Sequence, residues 1–162
     1  MPRFRLRNRS TCTLFSVRYL GVDIGKKRIG LAVSDASAVV ARPWRMLPAG
    51  HSPRVSADRV VAVLGELDDP LDLSGVGVIV VGLPRRLDGS DTDMTASARE
   101  MAAALHTLTG LEVHLQDERL TSHEAEQLLA EREPDWRQRK LLIDAASAAI
   151  ILQDYLDGRA TA

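Results

Sequence analysis

Cysteine occurs once, at Cys12, so no disulfide can close within the chain and no four-cysteine zinc site can be built. Net charge is almost absent: 21 Lys and Arg oppose 22 Asp and Glu, leaving −1. With no overall positive field, an anionic partner must be met by a local group of cations. No apolar run approaches the length of a membrane span, which excludes a helical membrane anchor in this sequence. A secretory leader is also not expected. Arg3, Arg5, Arg7 and Arg9 imitate its basic start, but the apolar run Cys12–Val17 is short, is followed at once by Arg18 and has no small-residue cleavage site. The expected setting is therefore a reducing cytoplasm, without a membrane partner. His51, His106, His114 and His123 lack HxxxH or HExxH spacing for zinc, no GxSxG elbow is present, and Cys12 near the terminus makes a poor nucleophile.

What is present is a regular alternation of short apolar blocks in a chain of 162 residues, the size of one domain. Residues 1–16 read as a basic extension expected to be solvated and mobile, and 17–162 as the single domain. Val17–Ile24 and Ile29–Ser34 flank the turn Gly25–Arg28 and predict a β-hairpin, to which Arg42–Leu47 adds a short third strand. Val55, Val60, Val63, Leu64 and Leu67 have helical spacing. "VGVIVVGLP" (Val76–Pro84) is a strand apolar on both faces, "TDMTASAREMAAALHTLTG" a helix stopped by Gly110, and Glu112–Gln116 a short strand. Thr121 and Glu124 form a capping box for a helix through Ala130, and Arg137–Leu156 is a final amphipathic helix ended by Gly158. Three strands followed by alternating helices and strands predict an α/β domain: a mixed five-stranded sheet, antiparallel first and then parallel, with helices packed on it. There is neither an internal repeat nor a low-complexity linker.

Three carboxylates stand in places where a purely structural acid is costly. Strand alternation puts Asp23 on one face with Tyr19 and Gly21, and the glycines on either side leave room around it for something bulky; a strand-end Asp turning into a hairpin is the plainer alternative. Glu118 follows a strand and precedes a helix, the position at which open α/β sheets bind ligands. An acid favouring the helix dipole explains Glu118 equally well, and Asp117 with it. Asp144 flanks the apolar stripe Leu141, Ala145, Ala148, Leu152 and Tyr155, where an acid is stable only if paired, solvated or bound to a cation. Arg139 and Lys140 are the alternative partners. Three such acids brought together would make a hard, oxygen-lined site suited to Mg2+ or Mn2+.

The blocks "LGVDIGKKRIGLAVSD", "VVGLPRRLDGSDT", "QDERLTSHEAEQLL" and "IDAASAAIILQDYL", in this order, make the chain resemble the YqgF (RuvX-like) family of pre-16S rRNA nucleases and Holliday-junction-resolvase-like proteins, within the RNase H-like superfamily. The resemblance runs from about Arg18 to Asp157. It implies an RNase H-like fold and places the family's acidic triad on Asp23, Glu118 and Asp144, as catalytic residues and metal ligands. It also aligns Gly82-Leu83-Pro84 at the end of the inner strand, and Arg119, Thr121 and Ser122 after the second acid. The N-terminal extension and the segment "EREPDWRQRK" depart from the family pattern.

The resemblance implies a two-metal phosphodiesterase using Mg2+ or Mn2+, with nucleic acid as partner: RNA favoured, branched DNA possible. Lys26, Lys27, Arg28, Arg85, Arg86, Arg119, Thr121 and Ser122 are the candidate substrate contacts, and Arg137, Arg139 and Lys140 precede the third acid. Each cation alone reads as an ordinary solvated charge; grouped at the strand ends they suit phosphates. Two other readings stand beside this one. An ATP-dependent phosphotransferase of the actin and sugar-kinase type also opens with Asp-x-Gly but needs a second domain, and a non-catalytic nucleic-acid-binding module would use the same scaffold without cleavage. The sequence leaves monomer and homodimer open.

Overall fold

A computed structural model describes residues 17–67, 75–118 and 136–161, with side chains in 136–145 outside the description. The elements are β1 (Arg18–Ile24), β2 (Arg28–Ser34), β3 (Ala41–Pro48), α1 (Pro53–Leu64), a 3-10 turn (Gly65–Leu67), β4 (Val76–Leu83), α2 (Asp93–Thr109), β5 (Glu112–Asp117) and α3 (Trp136–Ala160). The strands form one sheet in the order β3-β2-β1-β4-β5. β1 pairs antiparallel with β2, and β2 antiparallel with β3. β4 lies parallel to β1, and β5 parallel to β4. This is the mixed sheet that the order of apolar blocks predicts.

Strand alternation divides the core. Leu20 and Val22 of β1, Ile29 and Leu31 of β2, and Ile79, Val81 and Leu83 of β4 face α1 and α2, packing with Val60, Met101 and Leu105. On the other face Tyr19, Ala32 and Val80 meet Ala148, Ile151, Leu152 and Leu156 of α3. β4 is apolar on both sides because it is covered on both, as its unbroken run predicts. Helix α1 opens on Ser52, whose side-chain oxygen accepts the Val55 N–H. Helix α2 opens on a capping box between Thr92 and Thr95 and stops at Gly110 in the left-handed conformation. The Thr95 hydroxyl also donates to the Pro84 carbonyl at 2.5 Å, tying the start of α2 to the end of β4.

Two expectations are corrected. Helix α3 does not end at Gly158 but runs through it to Ala160. Glycine costs a helix only about 1 kcal/mol against Ala, and exposed near a terminus it is tolerated. The room beside Asp23 on β1 is also not open. A Cβ on Gly21 would stand 2.8 Å from both the Ala148 carbonyl oxygen and Leu152 Cβ, so this glycine lets α3 press against the sheet. The basic extension 1–16 and the segment with Thr121 and Glu124 lie outside the described residues. No described helix is long and apolar enough to cross a membrane.

Candidate active site

Parallel pairing of β1, β4 and β5 sends their carboxyl ends to one edge of the sheet. The β1–β4 register runs to Val22 with Val81, so the next step on each strand is Asp23 and Gly82. Gly82 is in turn level with Gln116 of β5, and Leu83 with Asp117. Glu118 follows directly, its backbone N–H donating to the Leu83 carbonyl at 3.3 Å. Its side chain turns back over β4. A Cβ on Gly82 would lie 2.9 Å from Glu118 Oε2 and 2.7 Å from Ile151 Cδ1. Gly82 is thus the seat of the Glu118 carboxyl, beside the β1 position that carries Asp23.

Burial pushes the Glu118 carboxyl up to about 8, and the negative charges of Asp23 and Asp117 add to the effect. The charge of Asp23 is thus near enough to be felt at Glu118. Asp117 has a part that sequence reasoning did not separate from that of Glu118. Alternation along β5 resolves it: Asp117 shares the face of Val113, toward α1 and α2, whereas Glu118 lies over Gly82 on the α3 side.

Asp144 falls within α3, whose side chains are described from Ala146 onward. The helix backbone has a clear direction against β1. Tyr19 packs at a tilt against Tyr155, 6.0 Å between ring centres, and Gly21, two residues on, meets Ala148 and Leu152. The helix therefore runs antiparallel to β1. Position 144 is one turn before Ala148, the next step of this run, as Asp23 is the next after Gly21.

Among the cations, Lys26 and Lys27 are exposed in the β1–β2 turn and Arg28 is half-buried at the start of β2. The turn is fixed by the Gly25 N–H donating to the Arg28 carbonyl at 2.8 Å, and by the Ala49 N–H donating to the Lys27 carbonyl at 2.9 Å. Arg85 is engaged: its Nε lies 3.8 Å from Asp91 Oδ1, and Asp91 also binds Arg99 at 2.7 Å. The Arg99 hydrogen bond chiefly holds the Asp91 carboxyl below its ordinary range. Arg86 is exposed in the turn that follows. Arg119, Thr121, Ser122 and His123 lie outside the described residues, as do the side chains of Arg137, Arg139 and Lys140. Of the remaining histidines, His114 pairs with Glu112 at 2.8 Å and His106 bonds the Leu111 carbonyl, both structural uses.

The two glycines carry opposite expectations. Gly21→Ala drives a methyl against helix backbone, so the variant should lose about 1–3 kcal/mol of stability, read as a fall in Tm. Gly82→Ala meets only the tips of two side chains, so its Tm should barely move while activity falls as Glu118 is displaced. Equal melting losses in both would refute this division.

A mixed five-stranded sheet of this order, antiparallel first and then parallel, with helices on both faces, is the RNase H-like fold. The fowlpox virus Holliday junction resolvase has this fold: the superposition covers 88% of this chain and 99% of that one, with TM-score 0.55 at 10% identity. The chain belongs to the RuvX family, whose model, described as Holliday junction resolvase, matches residues 17–158. A relative from Anaeromyxobacter sp. (strain Fw109-5), named "Putative pre-16S rRNA nuclease", is 42% identical over 145 residues, covering 88% of this chain and 98% of its own. One of the same name from Maridesulfovibrio salexigens is 39% identical, covering 86% and 98%.

Proposed function

We propose that this protein is a divalent-metal-dependent nuclease that hydrolyses phosphodiester bonds in precursor ribosomal RNA, with Asp23, Glu118 and Asp144 as its acidic residues. The observation that carries the reading is the Glu118 carboxyl, pushed up to about 8 by burial and by its acidic neighbours at the strand ends. Such a group is unfavourable as a structural feature and favourable as a cation ligand. The donor set is all carboxylate oxygen, which suits Mg2+ or Mn2+ and not a soft metal. Among the described residues no three His, Cys, Asp or Glu side chains form a complete metal group. Two acids interact there, and the third position approaches along α3 on the same face. A divalent cation, when bound, supplies Lewis-acid activation of water and neutralisation of charge at phosphorus.

The chain's own residues do the rest. Asp23 sits on the central strand, paired in register with Gly30 of β2 and one step beyond the Val22–Val81 pair with β4. Gly82, lacking a side chain, leaves the space that the Glu118 carboxyl occupies. Lys26 and Lys27 stand exposed three and four residues beyond Asp23, placed to meet phosphates of a strand crossing the sheet edge. Hydrolysis adds water across the P–O3′ bond, leaving a 5′-phosphate and a 3′-hydroxyl. RNA is preferred over branched DNA because relatives matched over nearly their whole length carry the rRNA nuclease name.

The test is cleavage of end-labelled precursor-like RNA and of a four-way DNA junction, with Mg2+, Mn2+ or EDTA. Metal-dependent cutting of the RNA supports the proposal, and cutting of the junction alone transfers the activity to branched DNA. Binding should also weaken steeply with salt. Replacing Lys26 and Lys27 by Gln should reduce the log–log salt slope by about 0.7 per lost single-strand contact. An unchanged slope would remove both lysines from the interface.

A further inference from the structure

The end of β1 leads into a second feature, on the opposite face of the sheet from Glu118. A pocket of about 220 Å3 lies among Ile24, Lys26, His51, Pro53, Met94 and Ser97. Its opening begins one residue beyond Asp23. Part of its wall is already tied up: the Gly50 N–H donates to Ser56 Oγ at 2.9 Å, and Ser52 Oγ caps Val55. What remains available on the wall is of three kinds. Met94, Pro53 and Ile24 give an apolar surface, His51 an exposed flat ring, and Lys26 an exposed charge at the rim. The Ser97 hydroxyl has no hydrogen-bond partner among the described residues and adds one polar edge.

We infer that this pocket takes one unpaired nucleobase of the substrate strand, next to the phosphate that is cut. The inference rests on the nuclease reading and adds a specificity site to it. A phosphate or free anion would gain nothing from the Met94, Pro53 and Ile24 wall, whereas a base has an apolar face and polar edges that match both parts of the lining. The volume falls below the roughly 300–1,000 Å3 of sites that enclose drug-sized ligands, which restricts the occupant to a single ring system. Continuity along the chain joins the two places. Asp23 ends at the acidic centre, Lys26 stands at the pocket rim, and a strand held by Lys26 brings one phosphate to the first and an adjoining base to the second. A flipped-out or single-stranded nucleotide is required, so fully paired duplex cannot use this pocket.

The experiment uses the full chain and a fluorescein-labelled single-stranded RNA in which one abasic nucleotide is walked through every position. Wild type should show a loss in affinity of about tenfold at one position near the cut, the ~1–3 kcal/mol per base of stacking contacts, and little at the others. Ser97→Phe, which fills the pocket, should bind all the RNAs alike at the weakened level. His51→Ala, an exposed change without packing consequences, should shrink the abasic penalty in the same position. Calorimetric Mn2+ binding should be unaltered in both variants, since neither residue belongs to the acidic centre. If wild type binds and cuts RNA with no position-dependent abasic penalty, or if both variants keep that penalty, the base pocket is disproved while the nuclease reading stands. A wild type that neither binds nor cuts RNA or junction DNA overturns both.

Discussion

Asp23→Asn is expected to lose metal-dependent cleavage by at least the ~10²–10³-fold that removal of one charge-stabilising group costs in other active sites, with the fold retained. The substitution keeps the shape and one oxygen but removes the charge. Asp23 pairs in register with Gly30 on β2 and follows Val22, whose partner is Val81 on β4, so its backbone hydrogen bonds do not depend on the carboxylate. It also contributes to raising the Glu118 carboxyl. Taking that charge away should lower the proton affinity of Glu118, and Tm in EDTA at neutral pH should hold or rise. Rate and Tm measured together decide the matter. A variant that cuts at the wild-type rate removes Asp23 from the mechanism. A variant that is inactive because it is unfolded contradicts the claim that this acid is a liability to the fold.

The parts of this design that are local were legible in the sequence, and the parts set by register were not. The hairpin strands are visible because Val22, Ile29 and Leu31 alternate with residues of another character, β4 because its apolar run is unbroken, and the end of α2 because Gly110 stops it. Asp23 and Glu118 stand out as acids at the ends of apolar strands. Their approach to each other depends on β4 lying between β1 and β5, a pairing that no single segment encodes. Gly21 was misread for the same reason: spacing shows a missing side chain, but only the packing of α3 shows that helix backbone fills the gap. Gly82 gave a usable signal, a small residue at the buried end of an apolar strand, whose meaning appears once Glu118 is seen lying over it. The pocket beyond Ile24 collects residues from three separate stretches of the chain, and nothing local announces it.

The protonation of Glu118 leads to the other large effect, a pH dependence of opposite sign in stability and in metal affinity. Its carboxyl is expected to titrate near 4.5 in the unfolded chain and near 8 in the folded one, with burial the main cause and Asp23 and Asp117 adding to it. Below pH 4.5 both states hold the proton and Glu118 costs the fold nothing. As pH rises, the unfolded chain releases its proton first, so stability in EDTA should decline by up to about 1.4 kcal/mol per pH unit and level off once the folded group ionises near pH 8. Glu118→Gln holds a neutral, hydrogen-bonding side chain at every pH and should not decline in this way. The two proteins should melt alike near pH 4.5 and separate progressively, with the Gln variant higher by up to roughly 10–20 °C at pH 8 and above. Divalent cation reverses the order. Binding must displace the proton, so wild-type affinity for Mn2+ should rise about tenfold per pH unit up to pH 8 and then flatten, whereas the Gln variant binds weakly throughout. Thermal melts and calorimetry from pH 5 to 9, with EDTA or Mn2+, measure both arms. Parallel melting curves for the two proteins in EDTA would show that Glu118 is not held against its charge, and with that the physical case for a cation site at these strand ends would fall.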